Sequence, residues 1–202
     1  QNGKLIYHTQ GTVSGDDWAA RGWHSQALPY NKDWAVQTDI NLPNLNMPDN
    51  SLIFAGLFVF NLDDPEDFAE FGLYSGSTRS FVASMDVNDN EAFTDTNATT
   101  TTNGTVRLRW VAAEQKLYYE YDANGATGGF VWTALASKAL NAGSTNWGMN
   151  ANSSFIVGLG VESESITINQ ADNVWLDNFK LAPLPKITTQ PLPQTVSLGG
   201  NA

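Results

Sequence analysis

Carboxylates are the reactive groups this sequence supplies in quantity: 21 Asp and Glu stand against ten Lys and Arg, with two histidines and no cysteine. Their spacing decides what they could do. The densest acidic run, Asp63-Asp64 with Glu66-Asp67 and Glu70, surrounds Pro65 and reads as a solvated turn. Glu162 and Glu164 form a second, smaller group. Asp86-Val87-Asn88-Asp89-Asn90-Glu91 offers oxygen ligands at every other residue, as the start of a calcium loop does, but it lacks the glycine and the distant glutamate of an EF-hand and reads as turn chemistry. Asp86, Asn88 and Asn90 stand as candidate ligand-binding groups. His8 and His24 could serve as a base and its partner, yet no serine lies in a nucleophile-elbow context, so both read as surface or groove residues. The lack of cysteine removes a thiolate nucleophile, a Cys-based zinc site and a disulfide framework together. The expectation is a protein with no catalytic machinery.

The balance of charge narrows the partners. A net charge of -11 repels phosphate backbones and anionic headgroups, which both need Lys/Arg patches, so neither nucleic acid nor a membrane surface is an expected partner. The longest apolar run, 52–60, has the length of a strand and not of a membrane span. Gln1-Asn2-Gly3-Lys4 has neither the basic nor the apolar region of a signal peptide, and the expectation is an extracellular or cell-surface chain seen in its mature part.

Positioning any of these groups falls to strands. Period-2 patterns bounded by Gly, Asn, Asp and Pro recur from end to end, and no segment holds a helical period for long. Trp34, Val36, Thr38, Ile40 and Leu42 point one way and Ala35, Gln37, Asp39 and Asn41 the other, a half-buried strand stopped by Pro43. The run 52–60 is apolar on both faces, as a central strand between two layers would be. Val106, Leu108 and Trp110 face a core and Arg107 and Arg109 face water, and a turn at 112–115 joins this strand to 117–121. Further strands are expected at 5–9, 18–23, 68–74, 81–87, 155–161 and 174–181, with a short one at 131–135. The Asn, Asp and Thr-rich stretch 89–104 reads as a long loop where a ligand could bind. Roughly eleven strands in all is the count of an all-β, two-sheet antiparallel jelly-roll sandwich.

That domain is expected to occupy residues 1–183. Residues 184–202 read as a Pro-rich linker followed by the truncated start of an immunoglobulin-like domain, on Ile187-Thr188-Thr189-Gln190-Pro191 and Gln194 to Gly200, so further domains of the same chain are expected downstream.

The strand pair 106–121, the turn Gly128-Gly129 leading into Val131-Trp132-Thr133, and the closing strand Val174-Trp175-Leu176-Asp177-Asn178-Phe179-Lys180-Leu181 together resemble the concanavalin A-like lectin and glucanase superfamily, of the laminin G-like jelly-roll type. The resemblance covers about nine-tenths of the chain and concerns fold more than function. Glucan-cleaving members carry their carboxylates in a Glu-x-Asp-x-x-Glu arrangement, which is absent here; Glu162 and Glu164 have no third carboxylate at that spacing. On strict alternation Asp177 shares a face with Trp175, Phe179 and Leu181, where a carboxylate needs a partner. The resemblance implies a structural calcium ion between the first and last strands with Asp177 as a ligand. The alternative is that Asn178, backbone amides or Arg21 satisfy Asp177 without metal.

Seven tryptophans are many for this length, and aromatic faces commonly stack on pyranose rings. Trp110, Trp34 and Trp175 fall on apolar strand faces, whereas Trp147 and Trp18 lie in polar surroundings and are the candidate exposed platforms. The expected function is a non-catalytic carbohydrate-binding module that takes a neutral polysaccharide or cell-surface glycan. The alternative is a structural spacer or protein-adhesion module.

Overall fold

A computed structural model of the chain describes residues 3–9, 11, 19–24, 27–125, 127 and 129–182. The linker expected at 184–202 and the candidate platform Trp18 lie outside these residues. The described chain is built from thirteen strands: β1 (Leu5–Tyr7), β2 (Ala19–His24), β3 (Leu28–Pro29), β4 (Trp34–Asn41), β5 (Leu52–Asn61), β6 (Phe68–Ser75), β7 (Arg79–Val87), β8 (Asn90–Ala98), β9 (Asn103–Val111), β10 (Lys116–Asp122), β11 (Thr133–Ala139), β12 (Ser154–Glu164) and β13 (Val174–Ala182). Two single-turn 3-10 helices, Gly143–Thr145 and Gln170–Asp172, are the helical content.

The strands form two antiparallel sheets, in the order β1-β13-β4-β9-β10-β11 and β2-β12-β5-β6-β7-β8, with β3 paired to the start of β12. This is a jelly-roll sandwich, as the alternating pattern requires. Trp34, Val36, Ile40 and Leu42 from one sheet meet Ile53, Ala55, Leu57 and Val59 from the other, and all are buried. Trp110, Tyr30, Trp34 and Trp147 surround Phe155 at ring separations of 5.1 to 6.4 Å and close one end of the core. Arg107 and Arg109 take the outer face of their sheet as expected, but they do not simply face water. Both pair with Glu120 at 2.7 and 2.9 Å. Burial alone would raise the Glu120 carboxyl, and the hydrogen bonds and charges of the two arginines instead hold it below the usual Glu value.

Three expectations change on contact with the fold. The stretch 89–104 is not a loop: β8 runs through it as the edge strand of the second sheet, paired along β7. An edge strand exposed on its outer side needs no apolar alternation, and Phe93, packed 6.0 Å from Tyr119, is its anchor to the core. Strand β5 is not covered by layers on both faces. Its inner face is the core, and its outer face covers itself with rings, Phe54 on Phe58 at 5.5 Å and Phe58 on Phe60 at 6.4 Å. In β13 the inward residues are Val174 and Leu176, so Trp175 and Asp177 point outward, and Lys4 lies 3.7 Å above the Trp175 ring. A bulge between Asp177 and Lys180, with Asn178 at φ 52°, then resets the phase that strict alternation assumes.

Candidate functional site

Because Ala69, Phe71 and Leu73 of β6 are wholly buried in the core, Phe68, Glu70, Gly72 and Tyr74 emerge on the outer face of the seven-strand layer. The same parity sends Ser80, Val82, Ser84 and Asp86 outward from β7, opposite Phe81, Ala83 and Met85, and Glu162 and Glu164 outward from β12. All of these but Gly72 line a cleft of about 750 Å³ that crosses β12, β5, β6, β7 and β8.

The floor of this cleft is set by a row of glycines. Gly22, Gly160, Gly56 and Gly72 are successive partners across β2, β12, β5 and β6. A Cβ at Gly56 or Gly72 would approach the Phe54 ring to 2.9 or 2.7 Å, so the missing side chains let that ring lie down over two strands. Phe54 is 5% exposed as a result.

Two carboxyls stand on either side of the glycine row. Glu70 is paired across the sheet with Ser84, whose hydroxyl donates to Glu70 Oε1 at 3.0 Å; burial, and then the charge of Asp86, leaves its carboxyl above the usual range. Glu162 is paired with Phe54. Burial, reinforced by the charge of Glu70, pushes its carboxyl up to about 8, so it keeps its proton at neutral pH. Asp86 is raised by burial and then by Glu91 and Asp89, with Glu91 its direct cross-strand partner. Arg79 is the basic residue of the cleft wall, and its guanidinium is committed: Nη1 donates to Leu42 O at 2.7 Å and to Thr101 O at 3.4 Å, and Nη2 to Pro43 O at 2.9 Å. The arrangement supplies proton donors and acceptors over an apolar floor.

Of the residues singled out in the sequence, Asp86 lines this cleft. Asn88 and Asn90 do not; Asn88 and Asp89 have φ of 51° and 55°, as a type I′ turn between β7 and β8 requires, Asn88 N–H donates to Asp67 Oδ1 and the Asn90 amide to Asn88 O. Trp147 is not an exposed platform. It is 4% exposed, packs 6.4 Å from Phe155, and its Nε1 donates to Asp86 O at 3.0 Å, so the polar loop around it serves the solvent side while the ring props up β7 from within. Glu70, read as part of a solvated turn, is a half-buried strand residue of the cleft. Its strand alternation with Ala69, Phe71 and Leu73 was the signal.

Asp177 lies at the bulge, away from the cleft. Its Oδ1 accepts the Asn178 N–H at 2.7 Å, and the facing Asp39 accepts from Asn178 Nδ2 at 2.7 Å and from the Thr105 hydroxyl. Among the described residues no group of three or more His, Asp or Glu is arranged to hold a metal ion. The hydrogen bonds that Asp177 and the facing Asp39 make with Asn178 and Thr105 favour the metal-free reading. Chelation is expected to leave the melting temperature unchanged, and Asp177→Asn to cost less than about 1 kcal/mol in urea unfolding, as for surface changes generally. A chelator-dependent fall in melting temperature would restore the metal.

No family model matches the chain, and a search of curated proteins found no match. Solved structures do resemble it. A functionally unknown protein from Saccharomyces cerevisiae aligns over 92% of this chain and 91% of its own, with a TM-score of 0.57 and 10% identity. The CBM2 module of the evolved Dit of Lactobacillus casei BL23 phage J-1 aligns over 87% of this chain and 74% of its own, with a TM-score of 0.53 and 10% identity. At these identities the likeness shows the fold alone, a jelly-roll sandwich.

Proposed function

We propose that the chain is a non-catalytic carbohydrate-binding module of the concanavalin A-like type, belonging to an exported or cell-surface multidomain protein, and that the cleft on the seven-strand layer receives a non-acidic glycan. The observation that carries this reading is the composition of the cleft: rings and apolar groups from Phe54, Phe68, Tyr74 and Val82 beneath, and hydroxyls and carboxyls from Ser84, Thr94, Glu70 and Glu162 around them. Sugar rings present one apolar face and a rim of hydroxyls, and this surface complements both. The similar fold of a module titled CBM2 agrees with it. A wide, wet cleft of this kind gives weak affinity, roughly micromolar to millimolar.

The carboxyl pair favours a second reading, acid-base cleavage of a glycosidic bond with Glu162 as the proton donor. A cleaving pair, however, needs environments that drive its two carboxyls apart, and here burial raises both. Binding is therefore the better reading. Titration calorimetry with glucan, xylan and mannan oligosaccharides is expected to show heat that Glu70→Gln reduces about ten-fold in affinity, the effect of one charged hydrogen bond. Release of reducing sugar, abolished by Glu162→Gln, would replace binding with catalysis. Absence of heat from every glycan would return the chain to the spacer reading.

A further inference from the structure

We propose that the glycan this cleft takes is cationic, a linear chain of amine-bearing sugars whose ammonium groups meet the cleft carboxylates. This deepens the glycan reading above and rests on it.

Charge composition is the first ground. Four carboxylates line the cleft, Glu70, Asp86, Glu91 and Glu164, beside the protonated Glu162, and the one arginine among the lining residues spends its guanidinium on backbone carbonyls of Leu42, Thr101 and Pro43. Asp86 and Glu91 stand directly opposite on neighbouring strands, a like-charge pairing that destabilises a sheet. Local rules broken in this way are expected where a fold keeps a site for a ligand. Among the described residues that line the cleft no other basic group offsets these charges, and a ligand that matched them would carry positive charge.

The spread of the carboxylates decides what form that charge takes. They do not converge as ligands of a point ion, since no group of three or more among the described residues could hold a metal. They are distributed over strands from β12 to β8, four inter-strand steps or about 19 Å, so a polymer with charges at intervals fits where a single ion does not. Between the carboxylates the floor is Phe54 and Tyr74 and the wall carries Ser84, Thr94 and Thr96 hydroxyls. Stacking surfaces and hydroxyls suit sugar rings better than the backbone and long aliphatic stems of a basic peptide. An amine on each ring adds a charge-assisted hydrogen bond to each carboxylate it reaches.

The test is calorimetry with three ligands of equal length: a glucosamine hexasaccharide, its fully N-acetylated counterpart and a glucose hexasaccharide, each at low and high salt. The glucosamine chain is expected to bind at least about ten-fold more tightly than the other two, with an advantage that shrinks as salt screens the charges. Glu91→Gln with Glu164→Gln, verified as folded by thermal melting, should erase that preference. Equal affinity for all three chains would overturn the charge proposal while leaving the glycan reading in place. Failure of every sugar, or tighter binding of an oligolysine than of any sugar, would overturn both.

Discussion

Gly56→Ala is expected to destabilise the protein by about 3 kcal/mol or more, at the upper end of what overpacking does. An added Cβ would lie 2.3 Å from Phe71 O and 2.6 Å from Gly72 Cα, and both are backbone atoms of the neighbouring strand β6. They cannot retreat without opening the β5–β6 ladder. The same Cβ would meet the Phe54 ring at 2.9 Å and lift it from the floor, so the cleft should be lost with the stability. Urea unfolding measures the first effect. Gly148→Ala is the control: Gly148 has φ 64° but nothing within 4 Å of its added Cβ, so it should cost only about 1 kcal/mol, the price of a left-handed backbone alone. Comparable losses at the two positions would mean that β5 and β6 yield more readily than their pairing implies.

Glu162→Gln should act in the opposite direction and only over part of the pH range. The folded carboxyl is raised to about 8 against a usual value of 4.5, so the folded state holds a proton that the unfolded state releases between those two values. Stability must therefore fall as pH rises from about 4.5 to about 8, and level off above. Glu162→Gln removes the ionisable group. It is expected to match the parent at about pH 4 and to exceed it by about 2–4 kcal/mol at about pH 9, or by roughly 5–10 °C in melting temperature for a domain of this size. Melting curves across that range decide the matter. A difference that does not change with pH would mean that Glu162 ionises freely in the folded protein.

How far the sequence carried these conclusions depends on the distance over which each pattern acts. Alternation in β4 and β9 needs only the neighbouring residues, and Trp34, Val36, Val106 and Trp110 are buried as it requires. The cleft needs more. Glu70 and Glu162 come together only because β6 and β12 flank β5, and the glycine row exists only when four strands are in register. Neither relation leaves a mark on a stretch of contiguous sequence. Glu70 was also masked by its acidic neighbours, of which Asp67 is buried in a turn where it accepts from Asn61 and Asn88. Asp177 was misplaced for a different reason. A bulge changes parity inside β13, and an alternation count has no means of detecting the residue at which it slips. Trp147 packs on Phe155 and donates to Asp86 O, a partner 61 residues away, so its burial is not legible in its own polar loop.

The pairing of β1 with β13 and of β2 with β12 has one more consequence, for the order of events in folding. Each sheet draws strands from both ends of the described chain, and the Tyr7 hydroxyl meets Ser163 Oγ at 2.8 Å across the join. These contacts cannot form on the ribosome until nearly all of the domain has emerged. Local hairpins such as β5–β6–β7 can form early, but with their apolar inner face uncovered, and the chain must close its longest loops before that face is protected. Late closure of the long-range pairings is thus built into the connectivity, and the polar, exposed edge of β8 lies next to the strands that would otherwise recruit a neighbour during the wait.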